Sequence, residues 1–158
     1  MPTQTLTQQN FDSVISGNHI VLVDWWAGWC GPCRQFAPIF ESSAQRHPDI
    51  VHAKVDTEAE QELAARAQIT SIPTVMAFRE GLLVYAEAGV PTPGTLDELI
   101  EQVKWLDMGQ FRREVARHQQ AQQPEYPSTA PVPATAGAPA SRAAGLAPTA
   151  SQYGWPGL

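Results

Sequence analysis

The chain has 158 residues, of which 43% are hydrophobic, and this length and composition predict one globular domain with an additional segment. Its formal net charge of −6 argues against a nucleic-acid partner, because there is no basic stripe to neutralise phosphates. No apolar run approaches the roughly 20 residues that a membrane-spanning helix needs, so no membrane association is expected.

The first predicted element is a helix near the N-terminus. Leu6 and Phe11 have the spacing of a hydrophobic staple around Thr7, which is the expected N-cap. Gly17 favours a helix end close to its position. The run Ile20–Val23 then predicts the start of a strand, because it is apolar, β-branched and too short for a helix.

Both cysteines of the chain follow this strand, where a second helix is predicted from about Cys33 to Arg46. Pro32 suits a first helical turn, since it has no N–H group to leave unpaired. We therefore expect Cys30 at the helix N-terminus, on the exposed edge, with Cys33 deeper in the first turn. Unpaired N–H groups and the helix dipole favour a thiolate there, which is the species that exchanges with disulfides. Pro38 lies within this helix and predicts a kink.

Three kinds of site can use a Cys-x-x-Cys pair: a zinc site, a structural disulfide and a redox centre. Zinc needs four ligands, but the chain has no second such pair, and its histidines are scattered at His19, His47, His52 and His118. A structural disulfide that closes so short a loop would stabilise the fold little. Redox chemistry is the favoured interpretation, and neither a metal nor a cofactor is predicted.

Beyond the cysteines, the hydrophobic pattern alternates between strand and helix periods. The predicted elements are a strand at 50–55, a helix at 58–67 capped by Asp56 and Thr57, strands at 74–78 and 82–88 joined by a hairpin, a loop at 89–94, and a helix whose inward residues run from 96 to 103. This order predicts an α/β fold with a mixed central β-sheet and helices on both faces.

The C-terminal part of the sequence predicts two further segments beyond a domain at 1–106. Asp107 and Gln110 have capping-box spacing, which predicts an extra helix at 107–118. One long terminal helix broken at Asp107 is an almost equal alternative. Residues 119–158 contain half of the 14 prolines and are rich in alanine, so a disordered tail is predicted there.

Three short motifs resemble those of bacterial-type members of the thioredoxin family: Trp29-Cys30-Gly31-Pro32-Cys33, the preceding Val23-Asp24, and the later Ile72-Pro73-Thr74. The likeness runs from about Leu6 to Val103, and its spacings need no insertion between the motifs. It implies the thioredoxin fold and a thiol-disulfide oxidoreductase that reduces disulfides in cytoplasmic proteins.

The resemblance also implies roles for four residues in catalysis. Cys30 would attack a substrate disulfide, and Cys33 would resolve the mixed disulfide and form the redox disulfide with Cys30. Asp24 would relay protons to Cys33; independently of the family, a carboxylate in so apolar a run is costly unless it has a function. Lys54 would be the partner of Asp24. The alternative for Lys54 is an edge lysine with a solvated ammonium group.

Residues next to the cysteines and in two later segments are expected to bind substrate. The resemblance implies that Pro73 is a cis-proline facing the disulfide, which leaves neighbouring backbone free to pair with a substrate strand. Gly89 can also be an ordinary turn at a strand end. The expected substrate-binding residues are Trp29, Gly31, Pro32, Ile72, Pro73, Gly89 and Val90.

The sequence departs from the family pattern at three positions outside the redox pair. Trp25 stands where phenylalanine is usual, and Gly28 replaces a larger residue. Gln68 occupies a position where a helix-ending glycine is common, so a left-handed backbone there would cost about 1 kcal/mol. These departures bear on stability and on partner choice.

The expected partners are proteins that donate or accept electrons, because no nucleotide-binding motif is present. The resemblance implies recharging by thioredoxin reductase and clients such as ribonucleotide reductase, peroxiredoxin or methionine sulfoxide reductase, with the chain acting as a monomer. A polar N-terminus without a signal peptide and only two cysteines predict the cytoplasm. An oxidase or isomerase and a protein-binding module that uses the groove and tail are the alternative functions.

Overall fold

Strands and helices alternate along residues 2–122, which are the residues that the computed structural model describes. The elements are β1 (Thr3–Thr5), α1 (Phe11–Gly17), β2 (Ile20–Trp26), α2 (Gly31–Arg46), β3 (Val51–Asp56), α3 (Gln61–Arg66), β4 (Thr74–Arg79), β5 (Leu82–Ala88), α4 (Pro93–Trp105) and α5 (Met108–Gln122). None of these helices is long and apolar enough to cross a membrane.

The strands form one mixed sheet in the order β1-β3-β2-β4-β5. β1, β3 and β2 are parallel, whereas β4 and β5 are antiparallel to their neighbours. Side chains of successive strand residues point to opposite faces, so each face buries its own apolar cluster. On one face α1 and α3 contribute to the cluster that contains Phe11, Trp25 and Leu63. On the other, α2 and α4 contribute Phe36, Phe40, Leu96 and Ile100. The predicted mixed sheet with helices on both faces is confirmed.

The N-terminal region differs from its prediction in two ways. The predicted N-cap at Thr7 is wrong: the Thr7 N–H donates to Asn10 Oδ1 at 2.7 Å, and this closes a turn before the helix. Regular helix begins only at Phe11, with Asn10 as the N-cap. Strand β1 was not predicted, because Thr3–Thr5 is polar and too short to show an alternating pattern.

Helix α3 is shorter than the predicted helix at 58–67. Asp56 Oδ1 accepts hydrogen bonds from the N–H groups of Glu58 and Ala59, at 2.9 and 3.4 Å. These bonds form a turn, and the regular helix starts after it at Gln61.

Helix α4 starts at Pro93, inside the predicted loop, because the Thr92 hydroxyl caps it by accepting from the Thr95 N–H.

Within residues 2–122, two separate helices follow β5, not one broken helix. Asp107 Oδ1 accepts from the Gln110 N–H at 3.0 Å at the start of α5. Helix α5 continues to Gln122, so it extends beyond the predicted end at 118, and 119–122 are helical where a tail was predicted. The rest of that predicted tail, 123–158, lies outside the described residues.

The junction between α4 and α5 is anchored to the hairpin of β4 and β5. The Arg79 guanidinium donates from Nη1 to the carbonyl oxygens of Val103, Lys104 and Leu106, at 2.7, 3.0 and 2.7 Å. Glu80 forms an ion pair of 2.9 Å with Arg112 of α5. The last carbonyls of α4 are therefore satisfied by a strand residue, and α5 is held against the same turn.

Two of the three family departures, Trp25 and Gln68, have visible structural consequences. The Trp25 ring packs 5.9 Å from the Phe11 ring, but its indole N–H is buried without a hydrogen-bond partner. Gln68 has a φ of 56°, which is the left-handed backbone expected at that position. At Gly28 a Cβ atom would meet nothing within 4 Å, so packing does not require glycine there.

Candidate functional site

The two cysteines lie where β2 is followed by α2. Cys30 is the N-cap of α2, as predicted, and Pro32 lies in the first turn. A disulfide joins Cys30 to Cys33. The Cys33 N–H donates to the Cys30 sulfur at 3.2 Å, which gives that sulfur a hydrogen bond from the helix N-terminus.

The expectation that Cys30 is exposed and Cys33 is deeper is wrong as a statement about solvent exposure. Each residue is 3% exposed, because Trp26 and Ile72 pack against the cluster that they form with Ala27. The two sulfurs differ in another respect: Cys30, and not Cys33, lines the neighbouring groove. An approaching molecule in the groove therefore meets Cys30 first.

The loop before β4 approaches the disulfide from the other side. The Ile72–Pro73 peptide bond is cis, as expected from the resemblance. The carbonyl oxygen of Ile72 lies 3.7 Å from the Cys30 sulfur. Gly89 has a φ of 113° and its N–H donates to the Pro73 carbonyl at 2.9 Å, so the end of β5 is tied to this loop.

A groove of about 620 Å³ runs from the segment 29–32 toward α3. Four of the expected substrate-binding residues line it, namely Trp29, Gly31, Pro32 and Ile72. Pro73, Gly89 and Val90 are not among its lining residues, and Val90, two residues after β5, is an apolar residue that is 38% exposed. The other residues that line the groove were not predicted, namely Thr57, Gln61, Ala64, Ala65, Ile69, Thr70 and Ser71. Small residues at helical spacing were their only signal.

Trp29 is an exposed aromatic residue of this groove, with 68% of the residue accessible to solvent. Its indole N–H donates to Glu58 Oε1 at 3.0 Å, which fixes one orientation of the ring. Glu58 was not predicted as a site residue, because it lies in a turn whose contact with Trp29 is visible only in three dimensions.

Asp24 is a buried acid in the middle of β2. The residue has no solvent exposure, and neither carboxyl oxygen has a hydrogen-bond partner. Burial raises the pKa of Asp24 from 3.8 to about 7, and the positive charge of Lys54 opposes that rise. The carboxyl group can therefore bind or release a proton near neutral pH.

Lys54 lies beside Asp24 in the sheet, since the two are register partners on the parallel strands β2 and β3. β3 lies between β1 and β2, so the alternative of an edge lysine is wrong for the strand. Its ammonium nitrogen stands 5.2 Å from the centre of the Trp26 ring. Among residues 2–122 there is no group of three or more His, Cys, Asp or Glu side chains that could hold a metal ion.

This geometry matches that of known proteins. A family model described as Thioredoxin matches residues 2–104. A Streptomyces coelicolor protein that is named as a thioredoxin is 48% identical over 117 residues, which are 74% of this chain and 87% of that protein. Because α5 begins at Met108, a match of 117 residues must include part of that helix.

Two solved structures have the same architecture. A mutant thioredoxin of Halobacterium salinarum is 33% identical with a TM-score of 0.62, and the match covers 66% of this chain and 93% of that one. A thioredoxin of Plasmodium falciparum is 36% identical with a TM-score of 0.60, and the match covers 66% of this chain and 100% of that one.

Proposed function

The chain belongs to the thioredoxin family and is a thiol-disulfide oxidoreductase, and from this premise we propose that it reduces protein disulfides in the cytoplasm. The position of the Cys30 sulfur carries the proposal. This sulfur lies at the N-terminus of α2, accepts the Cys33 N–H and lines the apolar groove. In the reduced chain the same N–H group and the helix dipole favour a thiolate at Cys30.

In the proposed reaction the Cys30 thiolate attacks one sulfur of a client disulfide. The client S–S bond breaks, a mixed disulfide forms, and the first client sulfur leaves as a thiolate and takes up a proton. Cys33 then loses its proton and attacks the Cys30 sulfur, so that the second client thiolate leaves. The client gains two electrons, and the chain is left with the Cys30–Cys33 disulfide.

Asp24 is the proposed acceptor of the Cys33 proton. A pKa of about 7 suits proton transfer at neutral pH, because both protonation states are then populated. No hydrogen bond commits the carboxyl group to a structural role. Lys54 adjusts this pKa, since its positive charge favours the ionised carboxylate.

A client segment is proposed to dock beside the disulfide in an extended conformation. Trp29, Gly31, Pro32 and Ile72 supply the groove wall nearest to Cys30. Pro73, Gly89 and Val90 are proposed to continue this surface past the cis-proline loop. Apolar contact there would hold the client sulfur near Cys30 for attack.

The partners follow from the electron balance. Each client that is reduced leaves the chain oxidised, so a protein that donates two electrons is needed, and thioredoxin reductase is the proposed donor. Clients are proteins with an accessible disulfide, and the chain is proposed to act on them as a monomer in a reducing compartment.

Substitution of the two cysteines tests the assignment of their roles. Cys33→Ser should let Cys30 attack and leave the mixed disulfide unresolved, so insulin should accumulate as a covalent complex that dithiothreitol releases. Cys30→Ser should form no such complex with insulin. Full multi-turnover reduction of insulin by Cys33→Ser would contradict the resolving role.

The redox equilibrium of the pair with glutathione separates a reductase from an oxidase or isomerase. A reduction potential of about −270 mV is expected for a thioredoxin-type reductase, whereas a value of about −120 mV indicates an oxidant. Cys30–Cys33 is expected to titrate at the lower of these potentials.

A further inference from the structure

Three side chains on one face of the sheet form an arrangement that the proposed reaction does not use in full. Asp24 and Lys54 are register partners on parallel strands, so their side chains point to the same face. Trp26 follows Asp24 by two residues and shares that face. The Lys54 ammonium lies 5.2 Å from the centre of the Trp26 ring, while both Asp24 oxygens lack a partner. Lys54 thus contacts the ring and leaves the carboxyl group unpaired.

Backbone hydrogen bonds hold both Trp26 and Lys54 in place. The Trp26 carbonyl accepts from the N–H and the hydroxyl of Thr57, at 2.8 and 3.0 Å. The Trp26 ring also packs against the cluster that contains both cysteines. The Lys54 carbonyl accepts the Leu6 N–H at 2.9 Å, so β3 is bonded on both sides at this residue. Tryptophan is the aromatic side chain that attracts a cation most strongly.

We propose that Trp26 is a positioning residue for the redox site: the face of its indole ring holds the Lys54 ammonium at a fixed distance from the Asp24 carboxyl group and so sets how strongly that charge favours ionised Asp24. The inference rests on the proposed function, in which Asp24 accepts a proton. Lysine has a flexible, four-carbon stem and a strongly hydrated ammonium group. Without the ring, the ammonium moves into water, and its attraction for the carboxylate weakens.

Few other charges face Asp24. On its face of β3 the titratable side chains are His52, Lys54 and Asp56, and Asp56 is bonded to backbone N–H groups of the following turn. The neighbouring residue on β4 is Val75, which does not titrate. Helix α2 covers this face, and Cys33 in its first turn is held in the disulfide of the oxidised chain. Lys54 is the charge that opposes the effect of burial on the Asp24 pKa.

The test is an NMR titration of the Asp24 carboxyl carbon in the oxidised full-length chain, with the signal assigned by Asp24→Asn. Trp26→Leu should raise the pKa of Asp24 by roughly 0.5 to 1 unit, which corresponds to an ammonium that retreats by a few ångströms. Trp26→Phe, which keeps a weaker aromatic face, should give a smaller rise. In a Lys54→Met background Trp26→Leu should give no further rise, because the ring acts through the ammonium.

The comparison with and without Lys54 decides between positioning and simple burial. Equal shifts from Trp26→Leu in both backgrounds would mean that the ring acts by excluding water alone, and this overturns the proposal. If Trp26→Leu lowers the pKa of Asp24, or leaves it unchanged, in the chain that retains Lys54, the proposal is overturned too. If Trp26→Leu does not fold, Trp26→Phe carries the same comparison.

A tryptophan on the other face of the same strand is the matched control. Trp25→Phe changes a ring that packs on Phe11, away from Lys54, and should leave the Asp24 titration unchanged. The titration uses no client protein, so it is independent of reductase activity. Failure of the unmodified chain to reduce insulin would overturn the proposed function and leave the titration result standing.

Discussion

Asp24 and His52 are both buried on the sheet face that α2 and α4 cover, but only His52 has a hydrogen-bond partner there. His52 Nε2 lies 3.0 Å from the Ser43 hydroxyl oxygen, and its ring contacts the Phe40 ring at 5.1 Å. Asp24 has no partner for either carboxyl oxygen. In register the two residues are diagonal neighbours, since His52 pairs with Leu22 and Asp24 pairs with Lys54.

Burial disfavours the charged form of both groups, and because one is an acid and the other a base, stability changes with pH in opposite directions for the two. It raises the pKa of Asp24 to about 7 and lowers the pKa of His52 from 6.5 to about 4. Between pH 4 and 6.5, unfolding releases the Asp24 proton and takes up a proton at His52. The two proton changes cancel, so together these groups give the free energy of unfolding little pH dependence in that range, although each alone would give a steep one. His52 has a hydrogen-bond partner, which fits a role in packing. Asp24 has none, which fits a role in proton transfer.

Removing the Asp24 carboxyl group should produce the largest effect. The folded chain holds this proton more tightly than the unfolded chain, so stability is lost as pH rises from 3.8 to about 7. Asp24→Ala should therefore raise the free energy of unfolding of the oxidised chain by up to about 4 kcal/mol at pH 8. The small cavity offsets part of this gain. Denaturant unfolding measures it, and insulin reduction should become slower in the same variant.

The pH dependence supplies the control for Asp24→Ala. At pH 3 the carboxyl group is protonated in both states, so the stabilisation should disappear there. A variant that is less stable than the parent chain at pH 8 would show that Asp24 is a satisfied structural acid. Unchanged insulin reduction would remove Asp24 from the proposed mechanism.

Replacing His52 should expose the opposite slope. Its folded pKa is lowered chiefly by burial, with weaker effects from the Ile50 carbonyl, His47, Asp49 and Arg46. Unfolding takes up a proton, so stability falls as pH drops from 6.5 through about 4, by about 3 kcal/mol in total. His52→Leu should remove that loss. Unfolding measured at pH 7 and at pH 4.5 should show the variant gaining relative to the parent chain at the lower pH; equal differences at both would contradict the assignment.

The sequence predicted the elements that carry a strong periodic signal, and it failed where side-chain hydrogen bonds decide the boundary. The strand at Ile20 and the helix that starts beside Cys30 follow from apolar runs and a proline. The starts of α1 and α3 do not, because the Asn10 and Asp56 side chains close turns before them. Such turns depend on one hydrogen bond, which no hydrophobic period records.

The candidate site divides in the same way. Cys30, Cys33 and the cis-proline were predicted from local motifs, and the structure places them together. The contact between Trp29 and Glu58 joins residues 29 positions apart, and no sequence motif predicts it. The His52–Ser43 pair is likewise invisible in the sequence, where a histidine in a strand is as easily a solvated residue. To predict a contact between distant elements, one must know the register of the strands and the orientation of the helices.

The smallest expected effect comes from the Ser43 hydroxyl, and it shows whether the His52 hydrogen bond matters. Ser43→Ala leaves a buried ring nitrogen without its partner, which should lower the free energy of unfolding by about 1–3 kcal/mol at pH 7. Ser42→Ala is the matched control, because Ser42 is the adjacent, exposed serine of the same helix. Both substitutions gain the same helix propensity of alanine, so their difference isolates the buried contact. Equal unfolding free energies for the two variants would mean that the hydroxyl contributes nothing, and that His52, like Asp24, is a buried group without effective compensation.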